Sequence, residues 1–339
     1  MRQIAGLMAV VVTGTALLAG CSSASSSSAD DDLQVTANLV AAAPAVSPVL
    51  SDATLPGTVL QSPASGAVAV DEQTHTLAVA VTRPPELQLY NLSDLTAAPK
   101  TVALPGPVTD VTDAHPGGPL LAPVTSANQV IEVALPAGTT TVVPVPDGPT
   151  SATMIGTNLL VAQESHKSLT LFNGTKPAKI ITGDVSPQQV VTVGNKAVLL
   201  DRFRSAVFDV DPQTGTVGAG LRAGDGATNE VADKYGDVLV TDTRTGELLL
   251  FSADPVLMRQ RYPVPGSPYG IAYDPNRDLV WVTCTKLNEV VGYDVTGGEP
   301  VEKYRISTVR QPNSVAVDPE SGRVIVASAD GGGIQVIQP

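Results

Sequence analysis

Residues 270–294 read GIAYDPNRDLVWVTCTKLNEVVGYD, which is three short apolar runs separated by turn residues. Runs of this length, with Asp-Pro in the first turn, indicate short antiparallel strands joined by hairpins. The third run ends in an aromatic or aliphatic residue, and a similar run recurs along the chain. Its seven anchor residues are Tyr90, Val133, Phe172, Phe208, Phe251, Tyr293 and Val336. They lie 43, 39, 36, 43, 42 and 43 residues apart. A period of about 41 residues with this content predicts the blades of a propeller.

A fourth run follows the third in each repeat except the last, which stops at Pro339. The segment Gly57–Pro63, GTVLQSP, precedes the first repeat and is similar to the fourth runs of other repeats. We therefore predict an all-β, seven-bladed β-propeller of four-stranded blades. Its ring is closed by an N-terminal strand that completes the last blade and covers the open sheet edge. Residues 57–339 form the single domain in this prediction.

Composition agrees with short strands and many turns, because the 339 residues include 30 Gly and 28 Pro. Such a composition makes coiled coils and helical bundles unsuitable models for this chain. The 33 acidic and 20 basic residues give a net charge of −13. Nucleic acid is therefore not expected as a partner, since neutralising phosphates requires a basic surface.

The first 20 residues have the anatomy of a signal peptide, with Arg2 followed by a nearly continuous apolar run from Ile4 to Ala19. The run ends in Leu18-Ala19-Gly20-Cys21, which resembles the lipobox of bacterial lipoproteins, where the cysteine carries the lipid. We expect lipidation at Cys21, a disordered Ser/Ala/Pro tether over residues 21–56, and a location on the outer face of the cell membrane.

Two segments, SPYGIAYDP from Ser267 and QPNSVAVDP from Gln311, resemble the YncE-like propellers of YVTN and NHL type. Together with the lipobox, LRAGDGAT from Leu221 and DPVLMRQRYPV from Asp254 resemble the mycobacterial LppL-type lipoproteins. This resemblance covers most of the chain and is strongest from about residue 220 onward. It implies a propeller fold and a lipid anchor, and it does not imply a chemistry.

Basic residues recur in the loops that should join the second and third strands of the blades. They are Arg83, Lys167, Arg202, Arg204, Arg244 and Lys286. Guanidinium and ammonium groups that converge on one face would suit a carboxylate or phosphate ligand. Acidic residues in or beside the same loops leave local ion pairing as the alternative. We predict a non-enzymatic binding or scaffold propeller, with an envelope protein, a glycan or an anionic ligand as partner.

The alternative function is a metal-dependent hydrolase or lactonase with its site at the channel mouth. The residues that could reach that mouth are Asp225, Asn229, Glu230, Asp242, Asn288 and Asn313. A histidine metal site is not expected, because His75 and His115 fall in first-turn loops and His166 falls on the opposite face. No catalytic residue, metal or cofactor is assigned. Trp281 and Cys284, in the run LVWVTC, are predicted to be core residues.

Overall fold

The computed structural model describes residues 39–50 and 54–339. These residues form seven antiparallel sheets of four strands each, arranged as a ring in which neighbouring innermost strands contact one another. The prediction of an all-β, seven-bladed propeller is confirmed. The expected signal peptide, Cys21 and the expected tether as far as residue 38 lie outside the described residues.

Blades 1 to 6 follow one another along the chain, and each runs from an inner to an outer strand. Blade 1 contains β2 (Ser65–Asp71), β3 (Thr76–Thr82), β4 (Pro85–Asn91) and β5 (Lys100–Ala103). Blade 2 contains β6 (Thr112–Asp113), β7 (Pro119–Val124), β8 (Gln129–Ala134) and β9 (Thr139–Pro144). Blade 3 contains β10 (Pro149–Ile155), β11 (Asn158–Gln163), β12 (Ser168–Asn173) and β13 (Lys176–Thr182).

The second half of the ring repeats this arrangement. Blade 4 contains β14 (Gln189–Val193), β15 (Lys196–Asp201), β16 (Ala206–Asp211) and β17 (Thr216–Arg222). Blade 5 contains β18 (Ala227–Ala232), β19 (Asp237–Asp242), β20 (Glu247–Ala253) and β21 (Val256–Pro263). Blade 6 contains β22 (Pro268–Asp274), β23 (Leu279–Cys284), β24 (Glu289–Asp294) and β25 (Val301–Ser307).

Blade 7 is assembled from both ends of the described chain. Its strands are β26 (Pro312–Val317), β27 (Val324–Ser328), β28 (Ile334–Ile337) and β1 (Thr58–Leu60), with β1 outermost. The register places Thr58 opposite Val336 and Leu60 opposite Ile334. The N-terminal strand thus closes the ring as the sequence predicted, and the edge of β28 is paired.

The core lies between the blades, where the second and third strands contribute aliphatic side chains from both faces. Among the anchor residues, Phe172, Phe208, Phe251 and Tyr293 are fully buried. Trp281 and Cys284 are also buried, as predicted, and Tyr304 stacks on the Trp281 ring with centroids 5.4 Å apart. Burial raises the pKa of the Cys284 thiol to about 12, so this side chain behaves as a small apolar group.

Helical structure in the described part of the chain is limited to a short 3₁₀ turn, Thr125–Ala127. Across residues 39–50 and 54–339, no helix has the length and hydropathy needed to cross a membrane.

Candidate functional site

The loops between second and third strands lie on one face of the ring, together with the connections between successive blades. We call this the 2–3 face. All six basic residues selected from the sequence lie in these loops: Arg83 in blade 1, Lys167 in blade 3, Arg202 and Arg204 in blade 4, Arg244 in blade 5 and Lys286 in blade 6. The structure therefore brings them to one face, but their side chains do not form a common ring of charge.

Local ion pairs occupy three of the six. The guanidinium of Arg204 is buried and lies 3.1 Å from Asp184 and 3.8 Å from Asp201. The exposed Lys167 ammonium lies 3.6 Å from the same Asp184. Arg244 lies 3.7 Å from Asp225 and also donates to the backbone carbonyl of that residue. These pairs neutralise much of the positive charge that the loops carry.

The remaining three differ in where they point. Arg83 and Lys286 are exposed, and neither forms an ion pair within residues 39–50 and 54–339. Arg202 instead lines the central channel, where its Nη2 donates to Asn229 Oδ1 at 3.1 Å. Free positive charge on the 2–3 face thus belongs mainly to blades 1 and 6.

The six residues considered for a metal-dependent hydrolase also fall into two groups, those that line the channel and those held by local contacts. Asn229, Glu230 and Asn313 line the channel. Asp225, in the connection from blade 4 to blade 5, pairs with Arg222 and Arg244. Asp242 accepts the backbone N–H groups of Arg244 and Thr245 at 3.1 Å, so it caps a turn. Asn288 donates to the carbonyl of Pro48 at 3.0 Å.

No group of three or more His, Cys, Asp and Glu side chains is arranged to hold a metal ion anywhere in residues 39–50 and 54–339. The three histidines are separated as expected: His75 pairs with Glu320 at 3.3 Å, and His166 pairs with Asp147 at 3.1 Å. His115 contacts the carbonyl of the adjacent Pro116.

Residues 39–50, which we call the strap, lie across the 2–3 face over blades 5 to 7. Ser47 is 4% exposed; its hydroxyl donates to the carbonyl of Thr285 at 2.5 Å and accepts from the backbone N–H of Gln311 at 3.1 Å. The Gln311 side chain bonds in turn to Ser47 and Ala45. The expectation of a free tether up to residue 56 therefore does not describe residues 39–50. Fixed polar partners from blades 6 and 7 hold them instead.

The central channel encloses a cavity of about 520 Å³, lined by the innermost strands. Near the 2–3 face, Asp110 from blade 2, Arg202 from blade 4 and Glu230 from blade 5 face the same space. Burial raises the pKa of Glu230 well above its usual range, although the positive charge of Arg202 lowers it. Burial likewise raises the pKa of Asp110, against a hydrogen bond from Ser151 and the charge of Arg202.

A second carboxyl pair lies at the opposite mouth of the channel. Asp71 accepts the backbone N–H of Gly117 at 2.6 Å and that of Thr74 at 2.7 Å, so it caps the first turn of blade 1. Burial raises the pKa of the neighbouring Asp113 to about 8, and the negative charge of Asp71 adds to this shift. Asp113 therefore takes up or releases a proton close to neutral pH.

From the sequence, Glu230 was selected only within a wider polar set, and Asp110 was not selected. A usable signal was present in the repeat itself. Strand register places five residues of other blades at the position of Glu230: Val68, Ala152, Val190, Ile271 and Val315. All five are apolar, so a carboxyl at this position in blade 5 departs from what the fold requires.

Comparisons with known proteins agree on the fold. No protein-family model matches the chain, and no curated protein matches it. Hydrazine synthase of Kuenenia stuttgartiensis matches with a TM-score of 0.70 and 13% identity over 86% of this chain and 99% of that one. Streptogramin B lyase matches with a TM-score of 0.69 and 14% identity over 84% and 96%. The Cps50 (Swd1) propeller domain of Myceliophteria thermophila matches with a TM-score of 0.71 and 12% identity over 84% and 99%. At these identities the likeness shows a seven-bladed β-propeller and nothing about the activity of this chain.

Proposed function

We propose that the chain is a lipid-anchored binding or scaffold propeller of the cell envelope, acylated at Cys21, with its 2–3 face turned toward the membrane. The resemblance to the LppL-type lipoproteins belongs to this proposal. The observation that carries it is the strap. Its polar contacts fix the point at which the N-terminal segment leaves the propeller, and that point is on the 2–3 face.

The geometry of the chain favours this orientation. Cys21 precedes Leu39 by 18 residues, a length of chain that cannot reach further than about 60 Å. Starting from the 2–3 face, that length easily reaches a lipid surface. From the opposite face the same segment would first have to pass around the propeller body. An anchor at Cys21 therefore holds the 2–3 face nearest the bilayer.

The outer surface of the strap is unusually apolar for a water-exposed segment. Val40, Val46 and Val49 are 63%, 80% and 87% exposed, and Leu287 beside them is 44% exposed. Lys286 is exposed next to this patch and carries a charge that anionic headgroups attract. Aliphatic side chains beside a basic residue suit the boundary between headgroups and acyl chains. The anionic partner that the basic loops predicted is, in this proposal, the lipid surface itself.

Acylation is tested by labelling the parent and a Cys21→Ala variant with a radioactive fatty acid in cells. We expect label in the parent and none in the variant, since a thiol at this position is the acceptor. Label that persists in the Cys21→Ala protein would show that the lipoprotein assignment is wrong.

Orientation is tested on the lipidated protein in vesicles of phosphatidylethanolamine and phosphatidylglycerol that carry a headgroup-linked quencher. Val49→Cys on the strap and Tyr235→Cys on the opposite face each accept a thiol-reactive fluorophore. The two positions are matched, because Tyr235 is also a large exposed side chain, at 61%. The Cys284 thiol is buried, so the fluorophore reacts at the introduced cysteine. We expect strong quenching at position 49 and little at position 235. Equal quenching at both, or stronger quenching at 235, would refute the orientation.

A further inference from the structure

Glu230 is a buried carboxyl whose side chain has no partner. It is 3% exposed, and neither of its carboxylate oxygens accepts a hydrogen bond within the described residues. Its backbone is held firmly, since its N–H donates to Gln189 Oε1 at 3.0 Å and its carbonyl accepts from Gln189 Nε2 at 3.1 Å. Burying an acidic group without partners costs free energy, so structural stability does not account for this residue.

Two further charged groups at this end of the channel share the same deficit. Asp110 Oδ2 and Arg202 Nε are buried and have no hydrogen-bond partner among residues 39–50 and 54–339. Among the described residues, the guanidinium of Arg202 forms no ion pair within 4 Å with the carboxylate of Glu230 or that of Asp110. Its charge nevertheless acts on both carboxylates. The three groups therefore surround a space instead of neutralising one another. Buried polar groups arranged in this way around a cavity are typical of a ligand site.

The unpartnered groups define the chemistry of a ligand that would bind here. They comprise three acceptor oxygens, two on Glu230 and one on Asp110, and one donor, Nε of Arg202. A primary ammonium group has three N–H donors that match the three oxygens. Asp113 is a third carboxyl lining the channel, against one basic lining residue in the described chain, Arg202, so the cavity becomes negative when these carboxyls are ionised. A negative, enclosed cavity concentrates cations.

A divalent metal ion fits this site poorly. The side-chain oxygens of Asn229 and Gln189, which would complete a coordination shell, already accept hydrogen bonds from Arg202 and from the backbone of Glu230. The guanidinium of Arg202 would face the ion directly. A cavity of about 520 Å³ is also far larger than an ion needs, whereas it has room for an organic molecule.

We propose that the central channel binds a small organic amine, whose ammonium group donates hydrogen bonds to Glu230 and Asp110, while Arg202 faces a polar acceptor elsewhere on the molecule. The site is independent of the lipid anchor, and nothing in this inference depends on acylation at Cys21.

Protons are expected to leave the site when the amine binds. In the empty channel burial holds the pKa values of Glu230 and Asp110 high, and an ammonium group favours their charged forms. The other titratable side chains lining the cavity are Asp113, Arg202, Tyr269 and Tyr273. Affinity should therefore rise with pH, as long as the amine keeps its proton.

The test is isothermal titration calorimetry of the full chain in detergent, with 4-amino-1-butanol as the probe, since it carries one ammonium group and a hydroxyl oxygen that can accept from Arg202. We expect saturable binding, stronger at pH 8 than at pH 5, with a heat that depends on the ionisation enthalpy of the buffer. 1,4-Butanediol has the same length without charge, and magnesium chloride supplies a cation without N–H donors. Neither should saturate the site.

Variants connect the binding to the carboxyls. Glu230→Gln keeps the size of the side chain and should weaken binding by about 10- to 100-fold, the effect of losing one charged hydrogen-bonding partner. Glu132→Gln is the matched control, because Glu132 is a half-buried strand carboxyl with a raised pKa that does not line the channel. It should bind as the parent does. Thermal melting of each variant shows that it is folded.

The proposal fails if 4-amino-1-butanol gives no saturable heat up to about 10 mM, a concentration that would detect even weak site binding. It also fails if butanediol binds as well as the amino alcohol, which would indicate a polyol site, or if magnesium binds and the amino alcohol does not. Equal affinity in the parent and in a folded Glu230→Gln variant would exclude the assigned carboxyl.

Discussion

Closure of the ring by β1 can be tested by adding one methyl group to the chain at Gly57. Gly57 precedes β1 and has φ +78°, and a Cβ at this position would lie 2.2 Å from the backbone oxygen of Val336 and 3.1 Å from the Cα of Ile337. Backbone atoms cannot yield as a flexible side chain can, so Gly57→Ala should push β1 away from β28. Gly194 is the matched control: its φ is +60° and a Cβ there meets nothing within 4 Å.

The expected magnitude follows from what β1 contributes. Both substitutions cost about 1 kcal/mol for placing alanine in the left-handed region. Gly57→Ala in addition disturbs three residue pairs, which hold about two to four backbone hydrogen bonds at about 1 kcal/mol each. It also disturbs the packing of Val59 and Leu60 against blade 7. We expect a loss of about 3 to 5 kcal/mol beyond the control.

Thermal unfolding followed by circular dichroism measures the difference. At about 2 °C for each kcal/mol in a domain of this size, Gly57→Ala should melt roughly 6 to 10 °C below Gly194→Ala. If the two variants melt within about 2 °C of each other, closure by β1 does not make this contribution to stability.

Three further outcomes are expected. The Asp113→Asn variant should become more stable relative to the parent as pH rises from about 4 to about 8, because the raised pKa of Asp113 makes its ionisation unfavourable in the folded state. Urea unfolding of both proteins at pH 5 and pH 9 measures this. An equal difference in unfolding free energy at the two pH values would contradict it. Ser47→Ala should speed proteolysis within the strap without lowering the melting temperature of the propeller; an unchanged cleavage pattern would show that Ser47 does not hold the strap. Arg204→Gln should cost about 3 kcal/mol in urea unfolding, since it leaves Asp201 buried without its cation, whereas Lys167→Gln, at an exposed pair, should cost less than about 1 kcal/mol. Equal losses for the last two would indicate that burial of the pair does not matter.

The fold could be predicted from the sequence because its physical rule is local and repeated. Each blade needs an apolar anchor near the end of its third strand, and the spacing of such residues gave the number of blades directly. Phe172 and Phe251, selected because each ends a recurring apolar run, are fully buried. Closure followed because the last repeat lacks a fourth strand and an unpaired sheet edge is costly.

The placement of the basic residues was predictable for the same reason, since loops of similar length recur at the same position in every blade. Their charge partners were not. Asp184, which pairs with both Arg204 and Lys167, lies in the connection from blade 3 to blade 4 and follows no period. The strap escaped prediction too, because its contacts depend on single side chains such as Gln311, more than 260 residues further along the chain.

In this repeat fold, carboxyl groups that cap turns can be distinguished from a carboxyl group that has no structural role. Asp71, Asp242 and Asp274 recur at strand ends, and each accepts backbone N–H groups of the turn that follows. Their charge is used locally, in the turns that they cap. Glu230 occupies a position that is apolar in blades 1, 3, 4, 6 and 7, and its carboxylate oxygens have no partner in the described chain. A single departure from the repeat at a buried position, at a cost in free energy, requires a compensating partner. Since the fold does not supply that partner, the channel is the place to look for it.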